Sequence, residues 1–519
     1  MTGMLSDRSL ARLRWICGLA FLGLFAYYIV NSLSWPMIWD TPIMHYVRFL
    51  ITRGFRPYSQ ITDMNLPGCY LTEGWGMAIF GWSDLSWRVY EFFLMAVLAG
   101  SGMLLGGRRN WFAGIYAASF FLVMHGSEGP RVATERDELM AILMIAATAS
   151  LLVAVRRRAP AWLLPMGLVS ALATSLKPAV LLMEIGLLVL LVFYLRKRGE
   201  RIGAYLLWAL LGNLVICAVV LEFLLKNHAI GPLLFILLRV VPSYAKLTHP
   251  GSIYMVRHLL PAAIAPLLLV GLVALVQRKG HLGLARWALW LGVVVGAISY
   301  FMQEKGLTYH RYMVVLFMLL WIGLELSEAM HRENLRSRWT AVAGIVLLFV
   351  VVVPYYIQIM HRTPTSEVAL SPVSFKLQSD LEQLGGDQLQ RQVLCLDMIY
   401  GCFDALYRMR LVQNTGATGD MLLFAPTADF ATDYYRDWFL EQDREHPANV
   451  VVVENEWFQG QHPSFNKLDA WPQYAAYLRS TYVLVAERNF GEAAGDPAYR
   501  IYLRKGSNVL VKEQADPLR

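Results

Sequence analysis

Three short pieces of one loop decide how this chain is read: Pro36-Met37-Ile38-Trp39-Asp40, then Gly54-Phe55-Arg56-Pro57-Tyr58, then Asp63-Met64-Asn65-Leu66-Pro67-Gly68. They follow directly on an apolar run at about 15–35 and form a stretch rich in turn formers and poor in basic residues. A carboxylate such as Asp40, placed at the end of a membrane-crossing helix, meets both water and lipid head groups. A single solvated Asp at a helix end is also common and needs no role. The rest of the chain has to choose between those readings.

Composition sets the frame. The 519 residues are 56% hydrophobic and 16% charged, with mean hydropathy +0.43. Several apolar runs approach the ~20 residues needed to cross a ~30 Å hydrocarbon core. This is the composition of a polytopic membrane protein. The formal charge of +8 resides largely in clusters between apolar runs: Arg108-Arg109, Arg156-Arg157-Arg158, Arg196-Lys197-Arg198, Arg278-Lys279 and Arg332 to Arg338. Clusters of this kind mark cytoplasmic loops rather than nucleic-acid binding. Arg8, Arg12 and Arg14 precede the first apolar run as in a signal peptide, but no small-residue cleavage site follows, so an uncleaved helix is expected. Five cysteines suit neither a disulfide framework nor a metal cluster; Cys395 and Cys402 are able to pair if their domain faces an oxidising compartment.

Eleven spans are expected, at about 15–35, 85–105, 111–127, 138–155, 160–176, 179–195, 203–224, 258–277, 285–302, 310–327 and 340–358. Residues 66–82 are apolar but short and interrupted by glycines. Reading them as a juxtamembrane helix puts nearly every basic cluster on the cytoplasmic side. Residues 43–53 and 232–246 read as further interfacial helices. After Tyr355-Tyr356 the composition shifts, and more than half of the 38 Asp and Glu residues lie in the last third. Short β-branched or apolar runs at 393–396, 450–453, 482–486 and 499–503, with helical stretches at 374–384 and 431–444, predict a small α/β domain. The expected organisation is a membrane domain over 1–360 and an extracytoplasmic α/β domain over 361–519, with the N-terminus cytoplasmic.

On this topology the costly charges share the outer face. A charge near the centre of a spanning helix costs ~2.5–3.5 kcal/mol, so ionisable residues at membrane depth are candidates for function. They are Asp40; the run Thr134-Glu135-Arg136-Asp137-Glu138; Lys177 in Leu176-Lys177-Pro178; and Gln303-Glu304-Lys305-Gly306 with Tyr309-His310. Singly, each has a dull explanation: snorkelling for Lys177, local pairing for 135–138, interface anchoring for Tyr309 and His310. Together they suit chemistry on a phosphate-linked lipid, with cations on the phosphate oxygens and a carboxylate as general base. No Walker loop, His-Glu-x-x-His, Gly-x-Ser-x-Gly or dinucleotide fingerprint is present.

With these motifs in view, the chain resembles the GT-C superfamily of integral-membrane glycosyltransferases, and within it the bacterial relatives of protein O-mannosyltransferases and lipid A aminoarabinose transferases. Trp39-Asp40 matches that family's catalytic Asp after the first helix. Gly54-x-x-Pro57-Tyr58 and Asp63 to Gly68 resemble its first outer loop, and Asp84 to Arg88 the motif that opens its second helix. Arg136-Asp137 falls at its second acidic motif and Leu176-Lys177-Pro178 at its Lys before a turn. Gln303-x-Lys305-Gly306 with Tyr309-His310 resembles a late outer-loop motif. Two departures stand out: Gln60 occupies a position that is often acidic, and residues 225–257 match no pattern.

The resemblance implies a mainly α GT-C fold and a polyprenyl-phosphate sugar as donor, used at a bacterial inner membrane. The acceptor would be a hydroxyl on lipid, glycan or protein; nucleic acid is not a partner. Asp40 and Asp137 are the expected catalytic carboxylates, Asp40 as general base and Asp137 positioning the acceptor or a divalent cation. The sequence requires no metal or other cofactor. Lys177, Arg136, Lys305 and His310 are expected on the donor phosphate, and Asp63, Asn65, Tyr58 and Glu135 in positioning the acceptor or the loop. The competing class is a transporter or flippase of polyprenyl-linked sugars. It would need no base and would show polar residues from face to face.

Overall fold

The computed structural model describes residues 6–246, 250–278, 282–367, 371–399, 401–457, 462–493 and 495–507. Lys279 and residues 247–249 of the unmatched stretch lie outside these. The chain divides into two compact units. One comprises residues 1–35, 66–222 and 250–364, the other 36–65, 223–249 and 365–519.

The first unit is helical. Among the described residues of the whole chain, eight helices are long and apolar enough to cross a membrane: Asp7–Ser32, Asp84–Asn110, Arg136–Arg157, Pro178–Lys197, Gly203–Lys226, Leu284–Gln303, Thr308–Met330 and Leu335–Arg362. The protein is a multi-pass membrane protein. The other three expected spans are helical but shorter, at Phe112–Glu128, Pro160–Leu176 and Ile264–Val276. At 1.5 Å per residue, the 13 residues of Ile264–Val276 reach about 20 Å. Helix Pro67–Phe80, 14 residues long, also falls well short of a bilayer core.

Burial ranks these helices. Thr308–Met330 and Arg136–Arg157 are 94% and 89% buried over their apolar windows, whereas Asp7–Ser32 is 17% buried. The first two therefore form the centre, and the side chains at their ends are held by neighbours on all sides. Close approach comes from glycine, as is usual where lipid leaves no hydrophobic drive between helices. A Cβ on Gly167 would fall 2.1 Å from the Ala209 carbonyl oxygen, and one on Gly212 2.3 Å from that of Leu164.

The basic clusters meet at one end of this unit. Arg156 donates to the Leu104 carbonyl, 2.5 Å, Arg332 to that of Ala274, 2.6 Å, and His331 to that of Arg109, 3.0 Å. Asp137, Arg88 and His310 occupy the opposite ends of the same helices.

The second unit is built on a four-stranded sheet of β1 (Val393–Leu396), β2 (Val450–Glu454), β3 (Tyr482–Asn489) and β4 (Ala498–Arg504), in the order β1-β2-β4-β3. β1 and β2 are parallel with Val393 opposite Val450; β4 runs antiparallel to both β2 and β3. The parallel pair needs a crossover, which helices Cys402–Met409 and Phe430–Glu445 supply. All four β1 residues and all five of β2 are buried, which explains why these strands read as unbroken apolar runs. Cys395 on β1 and Cys402 at the start of the next helix form a disulfide.

Residues 40–52 depart from expectation. They form a helix, but not an amphipathic one lying on a membrane surface: Met44, His45, Tyr46, Val47, Phe49 and Leu50 are all buried. Tyr46 packs on Phe403, and His45 and Phe49 on Tyr407. The apolar side chains that suggested a lipid-facing stripe are satisfied by protein instead.

Candidate functional site

Asp137 is the second residue of helix Arg136–Arg157 and is fully buried. Lys177 lies in the break between helices Leu163–Leu176 and Leu181–Lys197, where Pro178 cannot continue the first helix. That break is reached closely by helix Pro67–Phe80, because Gly68 sits where a Cβ would overlap Ser175. The Lys177 Nζ donates to Asp137 Oδ1 and Oδ2 at 2.6 and 2.7 Å and to Gln303 Oε1 at 2.6 Å. These three contacts use all three ammonium protons. Lys177 is therefore engaged rather than snorkelling, with 14% of its side chain exposed. Burial pulls its ammonium below the ordinary lysine range, against the opposing pull of Asp137.

His310, in the turn that leads into helix Tyr312–Met330, is buried and feels the fields of Asp137, Lys177, Arg136 and Lys305 together. The structure thus gathers Asp137 and all four residues expected on the donor phosphate at one end of the first unit. Burial lowers the Lys305 ammonium to about 8. Glu135 is buried beside them and precedes helix 136–157. Its neighbour Thr134 has φ 62°, a left-handed conformation that a β-branched residue adopts at a cost.

A second buried network adjoins through Glu138. His125 Nε2 lies 2.8 Å from Glu91 Oε1 and 3.8 Å from Glu138 Oε2. Arg88 donates to Glu91 Oε2, 2.6 Å, and Tyr28 to Glu91 Oε1, 2.5 Å. On the other side, His125 Nδ1 bonds the Tyr312 hydroxyl, which donates to Glu128 Oε2 while Arg311 pairs with Glu128 Oε1. Glu91, His125 and Glu138 offer one ligand atom each within 4.8 Å of one another, a donor set able to take a divalent cation. Charge counting weighs the options. Three carboxylates against Arg88 and Arg311 leave one negative charge, which a proton on His125 cancels and a divalent cation reverses. Asp137 is a poorer ligand here, since Lys177 already bridges both of its oxygens.

Asp40, Tyr58, Asp63 and Asn65 belong to the second unit. Asp40 lies eight residues past the end of the first helix and is half-buried, opening helix Asp40–Thr52, whose N-terminal partial positive charge suits a carboxylate. Trp39 before it has φ 65°. Asp63 closes a turn: its Oδ1 accepts from the Met64 and Asn65 backbone N–H, 2.7 and 3.2 Å, and the Asn65 amide bonds both oxygens. Tyr58 donates to the Asn65 carbonyl, 2.7 Å. The loop is tied to the C-terminal domain. Thr418 donates through its backbone and hydroxyl to Thr62, Thr62 N–H donates to Gly416, and the Tyr46 hydroxyl bridges Leu411 and Gln413.

Sequence reasoning missed Gln303 as a partner of Lys177, and it missed the Glu91–His125 pair. The available signal was single ionisable residues inside apolar helices, Arg88-x-x-Glu91 and His125-x-x-Glu128, each pair one helical turn apart.

Neither a protein-family profile nor a curated protein matches the chain in sequence. Solved structures do match in fold. ArnT from Cupriavidus metallidurans bound to undecaprenyl phosphate superposes with TM-score 0.58 at 14% identity, covering 94% of this chain and 98% of that one. Its apo form gives TM-score 0.54 at 14% identity, covering 95% and 98%. An oligosaccharyltransferase from Archaeoglobus fulgidus, tethered to an acceptor peptide, matches less well, at TM-score 0.49 and 12% identity over 84% and 69%. Over 94% of its length, this chain has the GT-C fold of ArnT.

Proposed function

We propose that the protein is a glycosyltransferase that moves a sugar from a polyprenyl-phosphate donor to an acceptor hydroxyl at the outer face of a bacterial inner membrane. The observation that carries this reading is the gathering of Lys177, Arg136 and His310 around Asp137, with Lys305 beside His310. It lies at the end of the central helices remote from the basic clusters, in a chain with the fold of ArnT. The basic end is cytoplasmic by the positive-inside rule. The disulfide Cys395–Cys402 suits an oxidising compartment for the C-terminal domain, residues 361–519, beyond the membrane domain of 1–360.

In this mechanism Asp40 takes the proton from the acceptor hydroxyl. The acceptor oxygen forms its bond to the anomeric carbon as the bond from that carbon to the phosphate oxygen breaks. The electron pair leaves with the polyprenyl phosphate. Lys177 exchanges Gln303 for a phosphate oxygen while Asp137 holds its ammonium in place, and Arg136 and Lys305 add to the field that stabilises the leaving charge. Asp63, with Tyr58 and Asn65, keeps the loop in shape, and Glu135 helps to orient the acceptor. A divalent cation, if one takes part, has its donors in Glu91, His125 and Glu138.

Asp40→Asn tests the assignment. General-base catalysis is worth ~10²–10⁴-fold, so this change should nearly abolish transfer while purified protein still binds polyprenyl-phosphate sugar. Transfer near the parent rate would remove Asp40 as the base and shift the role to Asp137. Donor movement across vesicles without transfer would favour a flippase.

A further inference from the structure

The end of the membrane unit opposite Asp137 holds a cavity that the transferase reading does not use. It has a volume of about 780 Å³ and opens among the ends of the helices at 84–110, 264–276 and 312–330 and the turn at 331–334. Arg109, Arg278 and Arg332 line it, against Glu328 and Glu333. Glu328 accepts from the buried Arg286 at 2.6 Å, but Arg286 also pairs with Glu325, towards which the Arg332 Nη2 lies at 3.8 Å. Arg286 and Arg332 are thus matched by Glu325 and Glu328, and Arg109 and Arg278 set against Glu333 give the cavity an excess of one positive charge. Asn110 and Asn334 spend their side-chain oxygens on Ser327 and on the Arg336 backbone N–H. Each amide also carries an NH2 group able to donate.

We propose that this cavity binds the phosphate of an anionic phospholipid headgroup. Guanidinium groups converging from separate helix ends, with amide donors between them, suit a phosphate's several oxygens. Retention of cytoplasmic loops needs only positive charge, not concavity, so the positive-inside rule does not account for the shape. Lipid rather than free phosphate is favoured by the rim. Val276, Leu335 and Trp339, on the helices that flank the cavity, are 83%, 45% and 42% exposed. They are placed to meet acyl chains while the arginines hold the headgroup, as in other basic pockets between membrane helices. The site lies about 27 Å from His310 along one helix of 1.5 Å rise per residue. It is independent of the proposed reaction.

Native mass spectrometry of the full-length protein, delipidated and titrated with phosphatidylglycerol or phosphatidylcholine, tests this. Phosphatidylglycerol should be retained and phosphatidylcholine should not. An arginine near a charged lipid is worth about fivefold in affinity, so Arg109→Gln with Arg278→Gln should weaken retention roughly 25-fold. Glu333→Gln, which removes the opposing charge, should strengthen it, and this second variant decides the matter if the first fails to fold. Equal retention of the two lipids, or no change in either variant, would overturn the site. Displacement of phosphatidylglycerol by low-millimolar inorganic phosphate would overturn the lipid assignment and mark a site for soluble phosphate.

Discussion

The cluster at Asp137 and the loop that carries Asp40 hold their polar residues by opposite means. Asp137 and Gln303, at the ends of two apolar helices, and Lys177, in the break between two others, are held by one another, their side chains meeting at 2.6–2.7 Å. In the loop, Asp63 and Asn65 bond each other, and Thr62 and Tyr46 bond a domain more than 350 residues away. The first arrangement is preformed by the membrane helices and costs desolvation. The second is cheap locally but depends on the C-terminal domain. Damage to the first should therefore register as an uncompensated charge, and damage to the second as a loosened loop.

Asp137→Ala should show the largest effect, because it leaves the Lys177 ammonium with a single partner. Removing one member of a buried pair costs ~3–5 kcal/mol, so the melting temperature in detergent should fall steeply. Asp137→Leu with Lys177→Met should recover most of the stability but not donor binding. If the double variant melts as low as the single one, packing rather than charge explains the loss. Tyr46→Phe should be milder, at ~1–3 kcal/mol, since it strips a buried hydroxyl that serves Leu411 and Gln413. Its signature is faster proteolysis within residues 36–65 with the membrane helices unaffected; unchanged protection would mean that the loop is held by other contacts.

Smaller still is a pH effect. Burial lowers Lys305 to about 8, so it is cationic below that pH and neutral above it. Donor affinity should decline as pH rises through about 8, and Lys305→Arg, which stays charged, should flatten the profile. An unchanged profile in that variant would take Lys305 out of the phosphate site. Asp63→Asn should cost least, ~0.5–1.5 kcal/mol, because the Asn oxygen still accepts from the Met64 and Asn65 backbone. A loss of transfer as large as that from Asp40→Asn would instead give Asp63 a chemical role.

Much of this was readable locally. The apolar runs fixed the helices, and β1 and β2 announced themselves as Val393–Leu396 and Val450–Val453 because both faces of each strand are buried. The same reasoning picked out Asp137, Lys177 and His310, since a charge among apolar residues is costly wherever it appears. Partner choice was not readable. Nothing near Lys177 points to Gln303, 126 residues on, and nothing near Tyr46 points to Leu411. Helix 40–52 was misjudged for the same reason: an apolar face has the same pattern whether lipid or another domain covers it. Asp40 itself was picked out by its neighbours in sequence and by family resemblance.

The bonds from Thr62 and Tyr46 to Thr418 and Leu411 also restrict how this protein can be cut and recombined. A chimera that exchanges only the C-terminal domain with that of a relative would strand residues 36–65 against a foreign surface. One that carries both segments across together should keep the loop ordered. For engineering, these two segments form one cassette, although some 300 residues separate them along the chain.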